Sequence, residues 1–187
     1  LDRVGRGAAR FDLDKLMSLN AHYIQRTEAD ALVEAIRPRL ERAIGTELNP
    51  DMSDRLKRAM PGLKPRANSL VALAESAAFY VAERPIAIDA KAARLLGDDA
   101  RSALADLLDA LDALDPWEEE TIERAVRGFA QGRGGKLGAI AQPLRACLVG
   151  RTASPGIFEV AAVLGREETL GRIRDALGPG DGDTDAP

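Results

Sequence analysis

Arg145, Gly150, Arg151, Ser154, Pro155, Gly156 and Phe158 crowd into one short run, RACLVGRTASPGIF, with no acid before Glu159. A guanidinium fork, a hydroxyl and backbone N–H groups beside a glycine can bond the edges of an unpaired base. An aromatic ring offers a surface for stacking it. Cytosine presents O2 and N3 acceptors that suit the fork, and uracil presents carbonyls and an N–H that suit a hydroxyl and backbone groups. In that alternative Arg145 lies near the end of one helix, Arg151 lies inside the joint, and Gly156 admits close approach of another molecule. The other alternative is a plain structural joint, in which Gly150 stops one helix, Ser154 caps the next and Pro155 fits its first turn. Phe158 belongs to the apolar series Ile157, Val160, Ala161 and Leu164 and is expected in the core rather than as a stacking platform.

Other chemistry is poorly supplied. Cys147 is the lone cysteine and His22 the lone histidine, so the chain can form no internal disulfide and cannot assemble the ligands of a structural zinc site. Cys147 lies on a helical segment and reads as a small buried apolar residue. His22 has no candidate nucleophile to serve and reads as a packed or exposed side chain. A small-molecule enzyme would need a convergent constellation that is missing. No apolar run approaches the roughly 18 residues that span a bilayer, and nothing resembles a signal peptide, so the cytoplasm is the expected compartment.

The elements that must position these residues are helical. Apolar spacings of three and four predict helices over 13–24, 29–44 and 63–81, followed by 88–96, 98–114, 116–132, 136–149, 155–164 and 166–177. Thr27, Asp51, Ser53 and the Asp115–Pro116 pair are expected at helix starts, and Gly45, Gly97 and Gly132 at helix ends. No alternating strand pattern is present. RPIAID, 84–89, reads as a linker, and GPGDGDTDAP, 178–187, as a disordered acidic tail. The chain opens on Leu1 rather than Met and is read as a fragment.

Charge is distributed unevenly around a net value of −4. Residues 98–120 carry nine acids and one base, 121–177 nine bases against five acids, and 55–66 five bases and no acid. Basic patches of this kind attract phosphate backbones even on an acidic chain, although a solvated surface would carry the same charges.

AQPLRACLVGRTASPGIFEVAAVLGREETLGRI resembles the C-terminal anticodon-binding region of bacterial glutamyl-tRNA synthetases. So do PWEEETIERAVRGFAQGRGGKLG before it and FDLDKLMSLNAHYI near the start. The resemblance runs from about residue 1 to 177 and is loose over 46–114. It implies an all-α, right-angled helical bundle or cage of the class I type. A partial stem-contact domain would occupy 1–45, a first anticodon-binding subdomain 46–88 and a C-terminal one 89–177. No HIGH-like or KMSKS-like motif is found. Lys15-Leu16-Met17-Ser18 echoes the latter but lacks its closing lysine and lies on an amphipathic helix.

The resemblance also implies roles for particular residues. Arg145, in the QPLR motif, would contact the first anticodon base, and Ser154, Pro155, Gly156 and Ile157 the middle base. Family members often carry threonine and leucine where Ser154 and Ile157 stand, which keeps a hydroxyl and apolar bulk. Arg127 is expected near the anticodon loop, and Arg66 is the candidate for the arginine that discriminates the third base. Arg124, Arg133, Lys136 and Arg151 are expected on the tRNA backbone. The implied parent is a glutamate–tRNA ligase, with ATP and Mg2+ in a catalytic domain absent here, so this chain alone is expected to be inactive. Its partners would be tRNA(Glu) and its own catalytic domain, with tRNA(Gln) left open and no membrane or DNA. The competing reading is a helical protein-interaction module whose acidic and basic segments meet charged partners.

Overall fold

Ten α-helices make up the described part of the chain, residues 13–178 of a computed structural model, with no strand among them. The first four are α1 (Leu13–Arg26), α2 (Ala29–Ile44), α3 (Pro50–Leu63) and α4 (Leu70–Ala77). After them come α5 (Ala90–Ala93), α6 (Asp98–Asp112), α7 (Glu119–Gly132), α8 (Leu137–Val149), α9 (Ile157–Leu164) and α10 (Arg166–Leu177). Short 3-10 turns, Lys64–Arg66 and Ala78–Tyr80, follow α3 and α4. Residues 1–12, and all of the expected 178–187 tail but Gly178, lie outside the described residues.

The periodicity that predicts these helices also fixes their buried faces. In α2, Leu32, Val33, Ile36 and Leu40 form a stripe buried against α3 and α4, and in α7 the stripe is Ile122, Val126 and Ala130, turned to α8 and α9. Helix α8 is buried nearly all round its last two turns, Pro143, Leu144 and Ala146 through Val149. It meets α5, α6, α7, α9 and α10, the position of a central helix.

The expected helix over 63–81 is interrupted: α3 ends at Leu63, and α4 alone lies between two 3-10 turns. Pro65 lacks the N–H that would continue α3, so the chain tightens into a 3-10 turn and restarts after Ser69, whose hydroxyl accepts the Ala72 N–H at 3.1 Å. Other boundaries move for similar local reasons. Asn49, not Asp51 or Ser53, caps α3 by accepting the Met52 N–H at 2.8 Å. The Thr27 hydroxyl donates back to the Tyr23 carbonyl and so closes α1 instead of opening α2. Pro116 follows a cis peptide ahead of α7, and Gly97 stands at the start of α6 rather than at a stop. Gly45 does end α2 in the left-handed conformation, with φ 75°.

Long-range hydrogen bonds of arginine lock these helices together. Arg172 is fully buried; its Nη1 donates to the Leu148 carbonyl at 2.7 Å, its Nε to Glu168 at 2.7 Å and its Nη2 to the Ala82 carbonyl at 3.4 Å. Arg101 closes α10 by donating to the Ala176 and Leu177 carbonyls at 2.9 and 3.0 Å. The 84–89 segment is neither helix nor strand, and Arg84 lies over Gly171 facing Glu168 and Asp175. One face lacks such cover: Tyr23, Leu70 and Val71 are 61%, 36% and 47% exposed around a groove of about 440 Å³ between α1, α2 and α4.

Cys147 is buried, and burial pushes its thiol up to about 12. A thiol reagent at neutral pH should therefore leave the native chain unlabelled and react at once after unfolding in guanidinium, read by mass spectrometry. Arg172→Ala should lower stability by about 2–4 kcal/mol, because it leaves the Leu148 and Ala82 carbonyls unpaired and empties a large buried volume; chemical denaturation measures the loss.

Candidate nucleic-acid interface

The joint is shaped first by Gly150. It ends α8 with φ 71°, its N–H donates to the Ala146 carbonyl at 3.0 Å, and a side chain there would run into the Ala87 carbonyl. The Asp89 N–H donates to the Gly150 carbonyl at 2.9 Å, so the 84–89 segment is held directly beneath the turn. The chain then leaves the core through exposed Arg151 and re-enters at buried Pro155 and Ile157.

Arg145, one turn before Gly150, reaches across the joint. Its Nε donates to Ser154 Oγ at 2.9 Å, and that hydroxyl donates onward to the Pro155 carbonyl at 2.7 Å. Ser154 therefore orients Arg145 rather than capping α9, whose N-cap is Gly156. Pro155 precedes the helix instead of opening it. At the start of α9 the Glu159 carboxylate turns back beside Gly156, whose backbone helps hold its pKa down. This is the glutamate half of a capping box, three residues after the cap. Phe158 is half-buried against the core, as its apolar series predicts.

With Nε committed, both terminal nitrogens of Arg145 are left without a protein acceptor among the described residues, and they form the planar fork that suits a base edge. Burial first, and then the nearby positive charge of Arg66, lower Arg145 from the usual arginine range. A half-buried guanidinium that feels a second positive charge is incompletely solvated, and an incoming acceptor or phosphate would relieve it. Arg66 is exposed on the 3-10 turn after α3. It is the one candidate from the loosely matched region that the structure brings to the joint, and its signal in the sequence was only a basic residue beside a proline. Glu119, from the start of α7, faces the same place, its carboxylate about 4.0 Å from where a Gly156 side chain would begin.

The remaining basic candidates lie elsewhere. Arg127 pairs with Glu123 at 2.6 Å, and Arg133 pairs with Asp106 at 2.6 Å while lying over the Phe129 ring. At 1.5 Å per helical residue, Arg133 is roughly 20 Å along α7 from Glu119. Exposed Arg124 and Lys136 share that helix and the turn after it. Arg151 borders a second groove, with Arg39, between α2 and α4. No described group of His, Cys, Asp and Glu could hold a metal ion, and no described helix is long and apolar enough to cross a membrane.

Residues 28–177 match the family described as "anticodon binding domain". The chain belongs to that family. It is 51% identical over 179 residues to glutamate–tRNA ligase 2 of Paramagnetospirillum magneticum, covering 95% of this chain and 38% of that protein. It is 52% identical over 182 residues to glutamate–tRNA ligase 1 of Methylorubrum extorquens, again covering 95% of this chain and 38% of that protein. It therefore spans well under half the length of these relatives, matching their C-terminal region. A crystal structure of a glutamate–tRNA ligase from Elizabethkingia meningosepticum aligns with a TM-score of 0.74 at 24% identity, over 89% of this chain and 32% of that one. At that identity the likeness establishes the all-α fold of this anticodon-binding domain and no more. The domain's joint depends on its one left-handed glycine. Gly150→Ala should cost about 2 kcal/mol or more, from the conformation and from the clash with the Ala87 carbonyl, as measured by urea denaturation.

Proposed function

We propose that this domain is the tRNA-selecting part of a glutamate–tRNA ligase, and that Arg145 reads the first anticodon base. The observation that carries the reading is the arrangement of Arg145: Nε tied to Ser154, fork open, Arg66 beside it. Ser154, Pro155, Gly156 and Ile157 would meet the middle base, with the Ser154 hydroxyl already oriented and Gly156 exposed. Arg66 would address the third base, on which a choice between tRNA(Glu) and tRNA(Gln) would turn. Arg124 and Lys136 are unencumbered candidates for phosphates. Arg127 and Arg133 would exchange exposed carboxylate partners for phosphates, a small cost because such surface pairs contribute only about 0–1 kcal/mol.

Attachment of glutamate would take place in the part of the relatives that this chain does not cover. ATP and Mg2+ would bind there. The cytoplasm, where tRNA is charged, is the compartment that goes with the reading.

Purified chain added to glutamate, ATP and tRNA should yield no charged tRNA in a filter assay. Its tRNA affinity should fall as salt rises, through release of condensed counterions. Arg145→Ala should weaken preference for the first anticodon base by roughly 1–3 kcal/mol, with incomplete rescue by lysine, which lacks the planar fork. Arg133→Ala should lower binding to all anticodon variants about equally. Titration against tRNAs differing at that single base, with folding checked by circular dichroism, measures both. An Arg145→Ala chain that folds and keeps its full base preference overturns the reading.

A further inference from the structure

Glu159 connects two turns that are far apart in the sequence. Its carboxylate lies close against Gly62, in the last turn of α3, and beside Gly156, at the start of its own helix, and the backbone groups of both hold its pKa down against burial. It lies so close over Gly62 that a methyl group at that position would overlap it. Directly after Gly62 the chain enters the 3-10 turn that carries Arg66. That turn is anchored by buried Ala67 and by Lys64 Nζ, which donates to the Thr27 carbonyl at 2.6 Å. The Glu159 carboxylate thus ties the turn bearing Arg66 to the turn bearing Ser154, the partner of Arg145.

The position is an expensive one for a carboxylate. Burial is the largest influence raising its pKa, the charge of Glu119 on α7 raises it further, and Arg66 and the two backbone groups pull it down. The phenol of Tyr80, in the 3-10 turn after α4, feels the same charge. A serine or asparagine at the cap would satisfy the start of α9 without burying a charge against a repelling neighbour. What the glutamate adds is the reach across to α3.

We propose that Glu159 is a positioning residue for base selection. It sets the separation of Arg66 from the Arg145–Ser154 pair, so that two guanidiniums address bases of one strand in register, and Gly62 is the glycine that makes room for it. The proposal rests on the base-reading function above.

The test compares wild type, R145A, E159A, E159Q and G62A in titrations against tRNA(Glu) transcripts that differ at one anticodon base, with thermal unfolding of each variant. E159A and G62A should lose roughly tenfold in discrimination at the first and third anticodon bases, within the range of one good base contact. E159Q, which keeps an acceptor oxygen but not the attraction to Arg66, should lose less. The salt dependence of binding should keep the wild-type slope, because no phosphate contact is removed. A purely structural role would lower the unfolding temperature and weaken all transcripts by one common factor, and that result overturns the proposal. So does wild-type discrimination in folded E159A and G62A. If E159A does not fold, E159Q and G62A decide on the same criteria. Loss of preference in R145A with none in the Glu159 and Gly62 variants places the failure here alone, whereas a wild-type chain indifferent to the anticodon removes the base-reading function and this role with it.

Discussion

The buried guanidinium of Arg172 is the constraint on which the rest of the molecule hangs. The last carbonyls of a helix have no partner within it, and α8 ends inside the protein, where water cannot supply one. Arg172 from α10 takes the Leu148 carbonyl, and the Asp89 N–H takes that of Gly150 two residues later. The two bonds bring the 84–89 segment, α8 and α10 to one point and allow the chain to turn outward there without burying an unpaired group. Glu168 balances the charge of Arg172, although burial still lowers its pKa. The exposed joint follows a buried helix end whose Ala146, Leu148 and Gly150 carbonyls all have partners.

The electrostatics separate two kinds of arginine. On α7 and just after it, Arg127 and Arg133 are solvent-exposed and neutralised by Glu123 and Asp106. At the joint, Arg145 is half-buried, bound to a neutral hydroxyl and crowded by Arg66. The first kind can give up its partner to a phosphate at little cost. The second is partly desolvated, and its open fork is already oriented by Ser154. A net charge of −4 does not distinguish them; burial and partner do.

Much of the helical framework was legible in the chain itself. The stripes Leu32, Val33, Ile36, Leu40 and Ile122, Val126, Ala130 are periodic, and Gly45 and Gly150 stop helices through a conformation that glycine adopts without strain. The break at Pro65 is not visible in the spacing, because apolar residues on both sides keep the helical period through the turn. The Gly156–Glu159 spacing carried a capping signal that could have been read; what it would reach beyond Gly156 could not.

Sequence alone determined which segments coil, which faces are apolar and that a tight joint follows Gly150, because those choices are settled by atoms within about one helical turn of each other. Only the tertiary structure decided that Ser154 holds Arg145 instead of capping α9, that Arg66 stands beside them, and that Glu159 ends on Gly62. Such pairings join residues distant along the chain, and many arginines, glutamates and glycines are equally eligible for them. The selection is made by the packing of α3, α8 and α9 around one core, through the distances at which these side chains finally meet.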